Sequence, residues 1–124
     1  MSQSGSLSIS VDPSSRIIHV DGEGFWTGEQ VARHFDNLSR AVAEARTAYG
    51  RVRVFVDLRR SVPQSQDVAA TIVSSTMEIY HQADCVALVV TGALQKIQMK
   101  RLTRAFNALI FDDAALALAW LDEC

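Results

Sequence analysis

The segment that most constrains the fold is residues 85–90, where six apolar residues follow one another as Cys-Val-Ala-Leu-Val-Val. A strand with one face in water alternates apolar and polar residues, whereas an unbroken apolar run of this length is typical of a strand covered on both faces. Such strands occur in parallel sheets, because the helices that connect parallel strands cover the sheet. The segment therefore predicts an α/β fold with this strand inside the sheet.

Other apolar runs predict the rest of the sheet. Leu7, Ile9 and Val11 alternate with serines, and a turn sequence at residues 12–15 separates them from Ile17, Ile18 and Val20, which indicates a β-hairpin. Residues 52–56 form a second buried strand with Asp57 at its end, and residues 109–111 form a short last one.

The first helix has the clearest start in the sequence. Thr27 and Gln30 have the spacing of a capping box, and Trp26 and Val31 have that of a hydrophobic staple. Gly50 ends the helix. One apolar stripe follows the 3.6-residue period and comprises Val31, Phe35, Leu38, Val42, Ala45 and Tyr49.

Three more helices are predicted at residues 64–80, 93–107 and 114–122. The packing face of the third contains Leu94, Leu102 and Ala105, and that of the last contains Leu116, Ala119 and Trp120. The order is therefore β-β-α-β-α-β-α-β-α, which predicts a mostly parallel sheet with helices packed around it. We expect a flexible N-terminus at residues 1–6 and a single domain at 7–124.

Composition narrows the class of protein. The 124 residues include 12 basic and 14 acidic side chains, a net charge of −2, which argues against a strongly basic nucleic-acid-binding protein. The first residues lack the basic and apolar regions of a secretion signal, and no segment is long and apolar enough to span a membrane. We therefore expect a cytoplasmic protein in which Cys85 and Cys124 are free thiols.

Polar residues at the predicted carboxyl ends of the strands form the candidate site. Asp57 ends an apolar strand, and Arg59 follows two residues later. Either the two side chains anchor a ligand beside the second helix, or Asp57 caps the turn and Arg59 is solvated. Both interpretations stay open at the level of sequence.

Arg101 is the third candidate. On a helical wheel it falls near Leu94 and Ala105, on the apolar face of the predicted third helix. A buried guanidinium group needs a partner, so Arg101 either meets Asp57 or an anionic ligand, or extends past the core to water.

Ser61 and Ser65 lie next to the second helix. A phosphate on either serine would be stabilised by the amides at the helix start and by Arg59 or Arg60. The alternative is that a serine at this place caps the helix.

No arrangement of residues predicts catalysis, a metal site or a cofactor. His19, His34 and His81 lack paired spacing, and each is predicted to be a surface or core-edge side chain. The chain contains no Cys-x-x-Cys, His-Glu-x-x-His or Gly-x-Ser-x-Gly motif, so we expect a protein that is not an enzyme.

Several of these short motifs together resemble the bacterial STAS-like proteins called SpoIIAA-like. The matching segments are the hairpin, Trp26-Thr27, residues 55–59, residues 84–90, residues 110–113 and residues 119–121. The resemblance implies a fold shared with the anti-sigma-factor antagonists and with the CRAL-TRIO lipid-binding domains.

For function, the resemblance implies a non-catalytic binding or regulatory module. The strand-end location and the arginine on an apolar helical face place its site near Asp57, Arg59, Ser65 and Arg101. We expect this site to bind a lipid, a small anionic or amphipathic ligand, or a regulatory protein. The alternative is a partner-switching regulator controlled by phosphorylation, in which Ser65 is the nearest match to the phosphorylated serine of the antagonists. The Asp-Ser-Ser-Gly motif of that branch is absent from residues 57–65.

We also expect a homodimer. The edge of the predicted hairpin, with its alternating apolar residues, can pair with the same edge of a second copy.

Overall fold

The computed structural model describes residues 5–100 and 107–124. Its elements are β1 (Ser6–Val11), β2 (Ile18–Gly24), α1 (Gly28–Tyr49), β3 (Arg53–Ser61), α2 (Gln66–Ile79), β4 (Cys85–Val89), α3 (Ala93–Met99), β5 (Asn107–Phe111) and α4 (Ala114–Glu123). The five strands lie in the order β1-β2-β3-β4-β5, with β1 antiparallel to β2 and all other neighbours parallel. The predicted α/β fold class and element order are confirmed.

The helices cover the two faces of the sheet unequally. α1, α2 and Met99 of α3 pack on one face and form the main core with residues such as Val54, Val86 and Leu88. α4 lies over β3, β4 and β5 on the opposite face. All residues of β4 are buried, as the apolar run predicted, while Ser10 and Glu23 on the β1–β2 half are exposed.

The start and end of α1 agree with the prediction. The Gln30 amide donates to Thr27 Oγ1 (3.2 Å), the Thr27 amide donates to Gln30 Oε1 (2.9 Å), and Gly50 has the left-handed φ of 73° that glycine adopts readily. The predicted stripe is wrong at Tyr49, which is 44% exposed, and it omitted His34, which is buried. His34 lies on the core side because it follows the buried Val31 by three residues and precedes the buried Leu38 by four, which places it on the same helix face.

The later helices differ from their predicted bounds. α2 begins after Ser65, because the Ser65 hydroxyl accepts from the Val68 amide and caps the helix there. α3 is described only to Met99, and Asn107, the predicted helix end, is the first residue of β5. Leu94, predicted to pack, is 53% exposed.

The packing face predicted for α4 is right at Trp120, which packs on the core, and wrong at its other two residues. Leu116 and Ala119 are exposed, whereas Ala117 and Leu121 are fully buried. The helix is apolar nearly all round, so its sequence selects no face, and the small Ala117 side chain allows the helix to approach the sheet closely.

β3 is longer than the predicted strand. It extends to Ser61 because Arg60 and Ser61 pair with Glu23 and Gly24 of β2. Asp57 therefore lies within the strand and not at its end, which corrects the predicted position.

Ser6, predicted to be flexible, belongs to β1, and Gly5 is hydrogen-bonded just before the strand. The Gly5 amide donates to the Phe25 carbonyl oxygen (3.0 Å), and Ser6 lies opposite Glu23. A Cβ atom at Gly5 would lie 2.5 Å from the Glu23 carbonyl oxygen, so only glycine fits this close approach. β1 is an edge strand, and the homodimer through it stays a prediction.

Cys85 and Cys124, expected to be free thiols, form a disulfide with a Cα–Cα distance of 6.5 Å. The expectation was wrong because α4 crosses β4 and brings its last residue over the first residue of that strand. Within the described ranges, no helix is long and apolar enough to cross a membrane.

Candidate functional site

Asp57 and Arg59 bind each other. Arg59 donates from Nε to Asp57 Oδ1 (2.9 Å) and from Nη2 to Asp57 Oδ2 (2.7 Å). These bonds hold the pKa of the Asp57 carboxyl below its usual range. Because the guanidinium and carboxylate groups satisfy each other at the surface, neither has an unused charge directed at a ligand.

The same open half of the sheet contains a second ion-pair group. Arg60 donates to Asp21 Oδ2 (2.7 Å) and lies 3.0 Å from Glu23 Oε1. The pKa of Arg60 is raised, chiefly by its bond to Asp21. The three side chains are 43–62% exposed and form a charged surface beside β1, although Asp21 Oδ1 is buried and has no hydrogen-bond partner among the described residues.

The structure brings Asp57 and Arg59 together but does not bring the two candidate serines to them. Ser65 is exposed at the start of α2, which packs on the face of the sheet opposite to Asp57. Ser61 is buried, and its hydroxyl donates to the Leu58 carbonyl oxygen (2.7 Å). Arg101 lies outside the described residues.

A small cavity lies inside the main core, between the sheet and helices α1 and α2. Its volume is about 50 Å³, and its wall is almost entirely apolar. The polar side chains in this wall are His34, Thr76 and Tyr80. The apolar side chains that surround them are Leu7, Val20, Trp26, Val31, Phe35, Leu38, Val56, Leu58, Ile72, Val86, Leu88 and Met99.

Burial keeps the titratable groups of this wall neutral. Loss of solvation lowers the pKa of His34 to about 4, because a charged imidazole is unfavourable in an apolar environment. Burial raises the pKa of Tyr80 above its usual range, and the nearby Asp84 carboxylate adds to that effect. At neutral pH the cavity therefore presents an uncharged imidazole and an uncharged phenol.

A polar groove adjoins the cavity between β1 and α1. Its volume is about 480 Å³, and Leu7 and His34 belong to the walls of both spaces. The rest of the groove wall consists of Ile9, Gln30, Arg33 and Asn37.

Arg33 is the charged group of this groove. Its side chain is exposed, and among the described residues it forms no ion pair. Gln30 is already engaged, since its amide nitrogen donates to the Gly5 carbonyl oxygen (2.8 Å). The groove thus combines an exposed guanidinium group with two residues, Leu7 and His34, that also line the apolar cavity.

Sequence reasoning missed this pair of spaces. Gln30, Arg33, His34 and Asn37 have the i, i+3, i+4, i+7 spacing of one helix face, directly beside the apolar stripe that starts at Val31. A search for polar residues along the border of that stripe would have identified the face, although not the cavity behind it.

The described part of the chain contains no group of three or more His, Cys, Asp or Glu residues placed to hold a metal ion. Neutral and basic polar side chains line the groove, and apolar side chains line most of the cavity.

Comparison with known proteins identifies the fold. The chain is similar to the crystal structure of an uncharacterized protein of the DUF3478 family, with a SpoIIAA-like fold, from Shewanella loihica PV-4. The TM-score is 0.71 at 19% sequence identity, and the match covers 98% of each chain. No family model and no curated protein matches the sequence. The resemblance inferred from the short motifs is thereby confirmed at the level of fold.

Proposed function

The chain has a SpoIIAA-like fold, and we propose that it is a non-catalytic binding module whose ligand is a small anion with a short apolar group. The observation that supports this function is the common wall of Leu7 and His34 between the polar groove and the apolar cavity. A molecule with one charged end and one apolar end matches both spaces at once.

The size of the cavity limits the apolar part of the ligand. A cavity of about 150 Å³ holds one benzene molecule, and the cavity in this protein is about 50 Å³. It therefore suits a short alkyl group and excludes a long acyl chain. This argument favours a small anion over a membrane lipid.

Arg33 is the group that would bind the charged end. A guanidinium group donates two parallel hydrogen bonds to a carboxylate or a phosphate. His34 remains neutral and so offers one donor and one acceptor without repelling Arg33.

The dependence of affinity on the length of the ligand's alkyl chain tests whether the cavity binds the apolar group. We expect the affinity for linear carboxylates, measured by calorimetry at pH 7, to rise from acetate to butyrate by about 0.8 kcal/mol per methylene group. We expect it to stop rising by octanoate, because the cavity is then full. Affinity that is absent throughout the series, or that keeps rising to octanoate, would contradict the proposal.

Two arginine variants test whether the charge of Arg33 in the groove binds the anion. Arg33→Gln should weaken butyrate binding about tenfold, since a hydrogen bond to a charged group contributes roughly 1.5–3 kcal/mol. Arg40→Gln, which removes an exposed arginine from the same helix, should leave the affinity unchanged. Equal effects of the two substitutions would mean that general charge, and not the groove, attracts the anion.

A second candidate function is a phosphorylation-controlled interaction at Ser65. Ser65 is exposed at the start of α2, where a phosphate would face free helix amides. Phe25 and Val62 are 46% and 43% exposed, and the Val62 amide bonds to Gly24, so apolar surface suited to a protein partner lies at this edge.

Phosphorylation by serine kinases encoded near the gene tests this candidate. We expect intact mass spectrometry to show an increment of about 80 Da, one phosphate, that maps to Ser65 and is absent from Ser65→Ala. Ser74→Ala, at an exposed serine in the middle of α2, should still accept the phosphate. Phosphate on other serines alone, or none, would exclude the switch.

A further inference from the structure

The Cys85–Cys124 disulfide joins the two ends of one packing unit. Cys85 begins β4 and is 7% exposed, while Cys124 follows the last turn of α4 and is half-buried. Between them, Ala117 and Leu121 of α4 pack on Ala87 and Val89 of β4. The bond therefore attaches the end of the helix to the strand that the helix covers.

The two cysteines differ in their surroundings. Asn107 Nδ2 donates to Cys85 Sγ (3.4 Å). Arg51 donates to the carbonyl oxygen of Cys124 (2.6 Å), and Arg53 stands opposite Cys85 in the sheet register. Cys124 is only half-buried, so a peroxide or a dithiol reaches its sulfur more readily than that of Cys85. The thiolate is the form that attacks peroxides and disulfides.

Besides the apolar packing of Leu121, two side-chain hydrogen bonds hold the last turn of α4. Arg51 holds the Cys124 carbonyl, Arg53 holds the Leu121 carbonyl (3.2 Å), and both bonds are at least partly accessible to water. The first turn is separately capped, because Asp113 accepts from the Ala115 and Leu116 amides. Loss of the disulfide would consequently loosen the last turn and leave the start of the helix in place.

From this geometry we propose that Cys85 and Cys124 are a reversible redox modification site that holds the last turn of α4 against the sheet. A hydroperoxide closes the bond, and a dithiol opens it. The oxidised protein has a fixed helix end, and the dithiol form has a loosened one.

A hydroperoxide closes the disulfide in two steps. The thiolate of Cys124, the more exposed sulfur, attacks one oxygen of the hydroperoxide, the O–O bond breaks, and an alcohol, or water from hydrogen peroxide, leaves a sulfenic acid on Cys124. The Cys85 thiolate then attacks that sulfur, the S–O bond breaks, and hydroxide leaves as water after taking a proton. Two electrons pass from the two thiols to the peroxide.

Opening follows thiol–disulfide exchange. One sulfur of the dithiol attacks Cys124 Sγ, which forms a mixed disulfide and releases the Cys85 thiolate. The second sulfur of the dithiol displaces Cys124, and the dithiol becomes a cyclic disulfide. Two electrons and two protons return to the cysteines.

The test compares the two redox states of the same full-length chain. The protein is reduced with dithiothreitol, desalted and treated with one equivalent of hydrogen peroxide, and its thiols are then counted by alkylation and mass spectrometry under denaturing conditions. We expect two alkylated cysteines before peroxide and none after it. Hydrogen exchange should be about tenfold faster at residues 121–124 in the dithiol form and unchanged at Ala117.

Single-residue variants test whether the disulfide itself, and not the residues around it, holds the last turn of α4. Cys124→Ser should exchange like the dithiol form both before and after peroxide. Cys85→Ala should do the same, because peroxide can still oxidise Cys124 but no second thiol is present to close the bond. If a variant fails to fold, the two states of the wild-type chain still decide the question. Free thiols after peroxide, sulfinic acid without a disulfide, disulfide-linked dimers, or equal exchange at residues 121–124 in both states would each overturn the proposal.

Discussion

Arg46→Leu is expected to lower the free energy of unfolding by about 3 kcal/mol at pH 7. Removing one partner of a buried ion pair leaves an uncompensated charge and costs roughly 3–5 kcal/mol. The lower end of that range applies because the Arg46 side chain is 29% exposed and water can partly replace it. Denaturation with urea, monitored by circular dichroism, measures the change.

The geometry around Asp84 explains the size of this effect. The Asp84 side chain is only 2% exposed and accepts from Arg46 Nη1 (2.8 Å) and Nη2 (2.9 Å). The His81 amide also donates to Asp84 Oδ2 (2.8 Å). The bonds to Asp84 raise the pKa of Arg46. The pair connects the last turn of α1 to the loop before β4, so its loss loosens two elements of the main core.

Two further variants make the result specific. Arg40→Leu, at an exposed position of the same helix, should change the free energy of unfolding by no more than about 0.5 kcal/mol. The double variant Arg46→Leu, Asp84→Leu should regain part of the loss, because it buries no unpaired charge. A loss below about 1 kcal/mol for Arg46→Leu would show that Asp84 finds another partner.

The free energy of unfolding is expected to fall by about 3 kcal/mol between pH 7 and pH 4 because of His34 alone. Burial lowers the pKa of His34 to about 4 in the folded protein, whereas a histidine in an unfolded chain has a pKa of about 6.5. Above pH 6.5 both states hold a neutral imidazole and the full stability is present. Between pH 6.5 and pH 4 only the unfolded chain takes up the proton, so acid favours unfolding in that window.

Replacement of His34 measures how much of the pH dependence of the free energy of unfolding comes from its imidazole. His34→Leu should be less sensitive to acid than the wild-type chain between pH 6.5 and pH 4, because leucine takes up no proton in either state. His81→Gln, at an exposed histidine, should follow the wild-type curve. If the free energy of unfolding depends on pH equally in the wild-type chain and in His34→Leu, then His34 takes up its proton in the folded protein as well.

Part of the candidate site could be predicted from the sequence, and part could not. The exposed cap at Ser65 follows from its place before an apolar helical stripe, a feature of neighbouring residues. The ion pair of Asp57 with Arg59 does not follow from neighbouring residues alone. It forms because β3 extends opposite Glu23 and Gly24 and so places both side chains on the open half of the sheet. The groove at Arg33 depends on β1 lying beside α1, which no local pattern specifies.

The sequence by itself determined the element order, the capping of α1 by Thr27 and Gln30, and the burial of β4. These features depend on hydrogen bonds within about one helical turn and on the apolar period of a single segment. Only the tertiary structure decided that His34 is buried, that Ala117 and Leu121 face the sheet, and that Cys85 meets Cys124 across a separation of 39 residues. The physical reason is that burial and long-range contact depend on which element packs on which, and several arrangements satisfy the same local pattern.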